Sequence, residues 1–376
     1  MSKIYYVGNY IDKNNEINYE GNLPGRLKMR YVIDCIKKNQ NDIEVFSLCS
    51  YRGKKFFSLR KSEIVDEKEK IRYVSSFRNN TKFLRFINRI LVRIQFFLFL
   101  ISLQKNSILI NYHSFSTSKT LSKIKKIKKL KIIMEVEEIY GYSALGRLSF
   151  VNKEISILKK FDNYIVVNDE IINTLDLENK NFHILYGAYY IPEVLVNRSD
   201  DKIKVIYAGT IETRKKGAIT AVESAKFLPD NYLLYIVGFG KEKAIDLLKN
   251  KIDCINQKNS NQKIKYLGFL EGEELSELLL SCHIGLSTYI MEEGFSNNSL
   301  PSKITTYMCH NLFVVTGYSK NYEKMAIAEK WSFYKKYEPE TIANAIVSVD
   351  ISKENSSLNL IKKLDREFKD WLKKNL

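Results

Sequence analysis

Short apolar runs alternate with longer helical patterns along this chain, the alternation stops near residues 190 to 202, and it then starts again. In the first stretch the runs are "KIYYVG" (3–8), "IEVFSLC" (43–49), "IRYVSS" (71–76), "SILINY" (107–112), "KIIMEV" (131–136) and "NYIVVN" (163–168). Their β-branched and aromatic content marks strands, and helical segments between strands mean a mainly parallel sheet covered on both faces. After the polar "YIPEVLVNRSDDK" come "KVIYAG" (204–209), "YLLYIVG" (232–238), "IKYLGF" (264–269), "HIGLSTY" (283–289) and "LFVVTG" (312–317). The pattern predicts an α/β chain of two Rossmann-like domains, residues 1–195 and 196–355. A C-terminal helix over 356–376 is expected to pack back towards the first domain. A chain of 376 residues is long enough for two such cores.

Charge narrows the partners. The net charge is +17, and residues 71–134 hold fourteen Lys and Arg with no Asp or Glu. A field of one sign on one domain implies an anionic partner. Two helical patterns carry much of it. "KFLRFINRILVRIQFFLFLISL" (82–103) spaces Arg85, Arg89 and Arg93 four apart among Phe, Ile and Leu, and "SKTLSKIKKIKKLK" (118–131) surrounds an apolar stripe with lysines, Lys125, Lys126 and Lys129 among them. Basic amphipathic helices lie on anionic membranes; the alternative is an ordinary sheet-covering helix with its lysines in water. The aromatic residues there sit in apolar helical runs rather than on strand faces suited to base stacking, which argues against nucleic acid. Five scattered cysteines without a CxxC pair and only four histidines give no metal-ligand spacing and suit a reducing compartment. The start "MSKIYYVGNY" reads as a strand rather than a signal peptide, so a cytoplasmic protein on the inner membrane face is expected.

The chemistry is concentrated after the restart. "YAGTIETRKKG" (207–217) ends a strand at Gly209, turns at Thr210, and leads through Arg214, Lys215 and Lys216 into a helix. Amides at a strand–loop–helix junction attract phosphate, and Arg and Lys add charge; a solvated basic turn is the alternative. "IVGFG" adds Gly238 and Gly240 at the next strand end, a weak signal because tight turns also demand glycine. "NSLPSKITTYM" (298–308) places Pro301 in the expected first turn of a helix. Lys303 in that turn opposes the helix dipole and gains most from an anionic ligand.

At these residues the chain resembles the bacterial family-4 glycosyltransferases of the GT-B fold. The resemblance follows the element order of nearly the whole chain and is specific in "YAGTIETRKKG", "IVGFG", "IKYLGFLEGEELSELLLSCHIGLS" and "NSLPSKITTYMCHNLFVV". It implies two Rossmann-like domains with parallel sheets facing across a cleft, the second holding a nucleotide-diphosphate sugar and the first the acceptor. It places the diphosphate-binding pair on Arg214 and Lys216, the strand-end glycine on Gly209, and backbone contacts to donor near Asn298, Ser299 and Leu300. It further implies transfer with retention, no cofactor beyond the nucleotide-sugar substrate (a UDP-sugar first), and no metal. Two departures stand out: Asn298 and Thr306 occupy the slots of a glutamate pair eight positions apart, and Thr210 stands where many relatives have arginine.

In the first domain "EGNLPGRLKMRYV" (20–32) resembles that family's glycine loop, with Gly25 and Arg26 ahead of a helix. A surface turn is the alternative. His113, in "NYHSF", ends a strand and is a candidate contact to a sugar hydroxyl; a histidine satisfied within the fold is the bland reading. In "MEVEEIYG", Glu135 and Glu137 share a strand face, and either, Glu137 first, is a candidate to position an acceptor hydroxyl or act as base; a solvated acidic cluster is the alternative. The reading that unites these features is a glycosyltransferase acting on a lipid-linked saccharide in capsule, exopolysaccharide or O-antigen synthesis. The alternatives are a non-catalytic membrane-associated partner of the same fold and a nucleotide-sugar epimerase.

Overall fold

In this computed structural model residues 3–39, 41–144, 148–194, 198, 202–213, 217–257, 263–288 and 300–376 are described. Internal contacts divide the chain into two units, Met1–Ala188 with Arg366–Leu376, and Tyr189–Asp365. The division falls at 188/189 rather than at 195. The second unit runs on to Asp365, past the boundary expected at 355.

The first unit is built on strands β1 (Ile4–Gly8), β2 (Ile43–Ser47), β3 (Lys61–Asp66), β4 (Glu69–Tyr73), β5 (Ile108–Tyr112), β6 (Lys131–Val136), β7 (Asn163–Val166) and β8 (Asn181–Ile184). They form one sheet in the order β8-β7-β6-β5-β1-β2-β4-β3. Every neighbour is parallel except β3 against β4. That exception has a local cause: only Glu67 and Lys68 separate the two strands, and so short a link can only reverse the chain. All residues of β2 and β5 are buried, as a sheet covered on both faces demands. Helix Leu23–Lys38 follows β1, capped by Asn22, whose side chain accepts from the Gly25 amide.

The second unit repeats the plan with β9 (Ile203–Ala208), β10 (Tyr232–Val237), β11 (Ile264–Tyr266), β12 (Ile284–Ser287), β13 (Phe313–Gly317) and β14 (Trp331–Tyr334). Their order is β11-β10-β9-β12-β13-β14, parallel throughout. Its core joins Val205, Leu234, Ile236 and Leu286 of the sheet to Ala218, Ala221, Leu248 and Ile342 of the covering helices. Helix Ser357–Asn375 closes the chain. Its last turns belong to the first unit, where Phe368 stacks on Tyr31 and the Trp371 indole donates to Asn181 Oδ1 at 3.1 Å.

Each sheet grows outward from its first strand to one side, then crosses to the other. The reversals lie between β1 and β5 in the first unit and between β9 and β12 in the second. Ligands of open α/β sheets bind outside the carboxyl ends of the strands at such reversals.

Candidate functional site

In the second unit the reversal is crowded with groups that the sequence singled out. β9 ends at Ala208, and Gly209 follows with its amide donating to Val237 O at 2.9 Å. The Lys303 ammonium lies 3.9 Å from the centre of the Tyr207 ring. A Cβ on Gly209 would meet that ammonium at 2.7 Å, so Lys303 would have to shift its flexible end to admit one. Tyr207 is buried, donates to Thr210 O at 3.3 Å, and has its phenol pKa pushed up by burial. Thr210 takes part through this carbonyl.

Lys303 is carried by helix Ser302–Cys309. Here one expectation is corrected: Pro301 is the N-cap residue, with extended backbone (φ −62°, ψ 117°), rather than part of the first turn. Proline offers no side-chain acceptor, and among the described residues no side chain caps this helix; its first amides carry the positive end of the dipole. Leu300 directly precedes it. Thr306 donates its hydroxyl to Ser302 O of its own helix at 3.1 Å.

Tyr307 was missed by the sequence reading. Fully buried, it accepts from the Ala208 amide at 2.9 Å and donates to Leu286 O at 3.3 Å, tying the helix to both strands that flank the reversal. The signal was its place four residues after Lys303, on the inward side of the same helix. Thr288, just after β12, donates to Gly217 O at 2.6 Å. Gly217 opens the helix Gly217–Ser224 that follows Arg214 and Lys216.

The glycine pair after β10 is corrected. Gly238 has φ +154°, and a Cβ there would lie 1.8 Å from Gly209 O; at Gly240 one would lie 2.1 Å from Ile211 O. Backbone makes the close approach that requires glycine at both positions, so Gly238 and Gly240 shape the strand ends. Arg214, Lys216, Asn298 and Ser299 lie outside the described residues.

At the reversal of the first unit, Tyr6 of β1, Tyr112 of β5 and Glu135 of β6 share one sheet face; Tyr112 and Glu135 are direct partners, and Tyr6 lies opposite Ile110, two residues back along β5. The Tyr6 hydroxyl donates to Glu135 Oε2 at 2.6 Å, and Glu135 is fully buried, its Oε1 without a hydrogen-bond partner among the described residues. Burial first, then the charge of Glu137, push the Glu135 carboxyl up to about 8 against the opposing pull of Lys28 and Tyr6. Glu137, partly exposed, pairs with Lys28 Nζ at 2.5 Å, and Lys28 also donates to Leu185 O at 2.6 Å. Lys28 was also missed, although it lies three residues after Gly25 on the same helix face.

Three calls in this unit are corrected. The amide of Gly25 is taken by Asn22, and a Cβ there would strike Asn22 and the Tyr112 hydroxyl, so Gly25 serves close packing at the helix start. Arg26 is paired with Glu16. His113 is buried, with Nδ1 2.9 Å from Ser118 Oγ and Nε2 2.6 Å from Glu154 Oε1, while the same glutamate accepts from the amides of Tyr140 and Gly141. With both ring nitrogens used inside the fold, His113 is a structural residue.

The basic positions divide as well. Arg85, Arg89 and Arg93 are exposed on helix Lys82–Ser102, Arg93 also donating to Ser116 Oγ at 3.0 Å. Lys125 turns inward to Asp162 and the Lys160 carbonyl, and Leu121 and Ile124 are buried, so helix Phe115–Lys128 mainly covers the sheet. Lys129 is exposed in a left-handed C-cap; the Lys126 side chain lies outside the described residues. Among the described residues no three His, Cys, Asp or Glu gather as metal ligands would.

Comparison with known proteins fits this layout. Residues 195–364 match the family model described as glycosyl transferases group 1. No curated protein matches the chain. Among solved structures, an α,α-trehalose-phosphate synthase (UDP-forming) from Burkholderia xenovorans, in complex with glucose-6-phosphate, superposes with a TM-score of 0.68 at 11% identity, covering 100% of this chain and 98% of that one. The α,α-trehalose 6-phosphate synthase of Burkholderia multivorans gives 0.66 at 9% identity, covering 100% and 95%. Anabaena Alr3699/HepE in complex with UDP-glucose gives 0.63 at 10%, covering 99% of both chains. Residues 195–364 of the second unit are thus similar to glycosyl transferases group 1, and the two Rossmann-like units have the GT-B fold of these structures.

Proposed function

We propose that the protein is a retaining hexosyltransferase that moves a sugar from a nucleotide-diphosphate donor, a UDP-sugar first, to a hydroxyl of a lipid-linked saccharide in surface-polysaccharide synthesis at the inner membrane face. One observation carries the donor half of this reading. Lys303 stands over Tyr207 beside Gly209, in the first turn of helix Ser302–Cys309, inside the segment that matches glycosyl transferases group 1. UDP and UDP-glucose bound to Anabaena Alr3699/HepE, a structure of the same fold, support the choice of donor.

In the reaction the bond from the anomeric carbon to the diphosphate oxygen breaks and a bond to the acceptor oxygen forms. The acceptor proton passes to the departing diphosphate. Lys303, the first amides of helix Ser302–Cys309, and Arg214 and Lys216 would hold the charge that develops on the leaving group; such stabilisation acts without metal or covalent nucleophile. Glu137, oriented by Lys28, would accept a hydrogen bond from the acceptor hydroxyl.

Titration of UDP, GDP and TDP into the protein by calorimetry tests this. Saturable binding of one nucleotide, weakened in Lys303→Ala and Arg214→Ala, is the expected result. A second reading, a non-catalytic partner of the same fold, draws on Thr306, whose hydroxyl serves its own helix where a carboxylate would grip ribose. Absence of binding by all three nucleotides would favour that reading.

A further inference from the structure

The helix Lys82–Ser102 keeps a greasy face in water. Phe83, Phe86, Ile90, Ile94, Phe97 and Ile101 are each between 42% and 71% exposed. Their spacing of three or four residues puts them in one stripe along the helix. Scattered exposed apolar residues need no explanation, but an unbroken stripe of this length does.

The helix cannot hide the stripe by rolling. On its other side the Asn88 side chain accepts from the Phe77 amide and donates to the Phe77 carbonyl, both at 2.8 Å. Gln95, two turns on, does the same to Ser75, again at 2.8 Å for both bonds. Phe99 stacks on Phe46 at 4.1 Å and meets Tyr5 edge-on. Two side-chain amides and this packing fix the roll of the helix, and therefore which residues face outward.

Charge decides what lies against the stripe. Arg85, Arg89 and Arg93 are exposed along one flank of it, and no Asp or Glu occurs from residue 71 to 134. A second copy laid on this face would add another row of arginines to an already basic surface. An anionic lipid surface complements both features, with phosphates for the arginines and acyl chains for the rings. Among the described residues no helix is long and apolar enough to cross a membrane, so this one lies along the surface.

We infer that helix Lys82–Ser102 is a surface-lying anchor that docks the protein on anionic phospholipid, with Phe83, Phe86, Ile90, Ile94, Phe97 and Ile101 in the acyl boundary. The inference deepens the membrane part of the proposed function and does not depend on the donor chemistry.

The test sediments the full chain with vesicles of phosphatidylcholine alone and of an equimolar mixture with phosphatidylglycerol. Nucleotide titration and light scattering are run on the same preparations. Binding to the mixed vesicles only, weakened at least about tenfold by Phe86→Asp with Phe97→Asp, is the expected result. Arg85→Gln, Arg89→Gln and Arg93→Gln should each cost about fivefold, which keeps the test open if the aspartate variant misfolds. Equal binding by wild type and all variants, or no binding of wild type to either vesicle, overturns the inference. So does a wild-type dimer that the variants disperse, which would assign the stripe to a second copy. Vesicle binding that persists while no nucleotide binds would remove the donor reading and leave this one standing.

Discussion

The Lys303 ammonium sits 3.9 Å from the centre of the Tyr207 ring, within cation–π range. The ring and the cation lie together over the end of β9. Lys303→Ala is expected to weaken nucleotide-diphosphate binding by about 10- to 100-fold, as loss of one charge-assisted contact does. The melting temperature should change little, since the side chain is only half-buried. Calorimetry with the nucleotide, beside a thermal melt, separates the two effects.

Glu135 makes a prediction about pH. Its carboxyl is pushed from the ordinary 4.5 to about 8 by burial and by Glu137, with Lys28 and Tyr6 opposing. The folded state therefore binds this proton more tightly than the unfolded chain does. The contribution to stability is full below about 4.5, falls as pH rises, and is lost through about 8. Glu135→Gln keeps an acceptor for the Tyr6 hydroxyl and has no proton to lose. Wild type should lose stability relative to Glu135→Gln between pH 5 and 8.5, by a few kcal/mol in all. Melting curves of both proteins across that range check the slope; parallel curves would remove the argument.

Arg198 is a clamp within the second unit. Its guanidinium donates to the carbonyls of Leu280 at 3.0 Å, Asn311 at 2.8 Å and His310 at 2.7 Å, joining the last turn of helix Gly272–Ser281 to the residues that follow helix Ser302–Cys309. Positive charge is favoured at helix C-termini, and the planar fork serves three acceptors at once. Arg198→Ala is expected to destabilise by about 2–4 kcal/mol. Arg198→Lys should recover only a small part, because one ammonium cannot span the three carbonyls. Urea denaturation of both variants gives the comparison.

What the sequence revealed of the fold follows burial. β2 and β5 are wholly buried, so nearly every residue is apolar and the runs stand out. β3 is exposed almost throughout, its sequence "KSEIVD" carries no such run, and its antiparallel pairing rests on the two-residue link Glu67–Lys68. Among the candidate residues, Lys303 and Glu137 stand out in the sequence because charge at an expected strand end or helix start is conspicuous. Tyr307 does not, because a buried tyrosine in a helix looks like ordinary core until its hydroxyl is seen between Ala208 and Leu286. Gly25, Gly238 and His113 were read as ligand contacts, although what each meets is its own chain. A glycine or histidine at a strand end signals close approach or satisfied polarity, and sequence does not say with what.

Gly238 gives the sharpest test of that distinction. Its amide donates to Gly268 O at 2.8 Å, its carbonyl accepts from the Tyr266 hydroxyl at 3.1 Å, and its φ of +154° is a conformation that L side chains rarely adopt. Gly238→Ala adds a methyl 1.8 Å from Gly209 O, which only a shift of one strand end can relieve. The expected cost is about 3 kcal/mol or more of stability. Nucleotide binding should fall with it, because the backbone that yields is the one lying under Lys303. Contact with donor alone would predict the opposite pattern, unchanged stability and weakened binding. A melt and a nucleotide titration on this one variant therefore decide whether Gly238 shapes the site or touches its ligand.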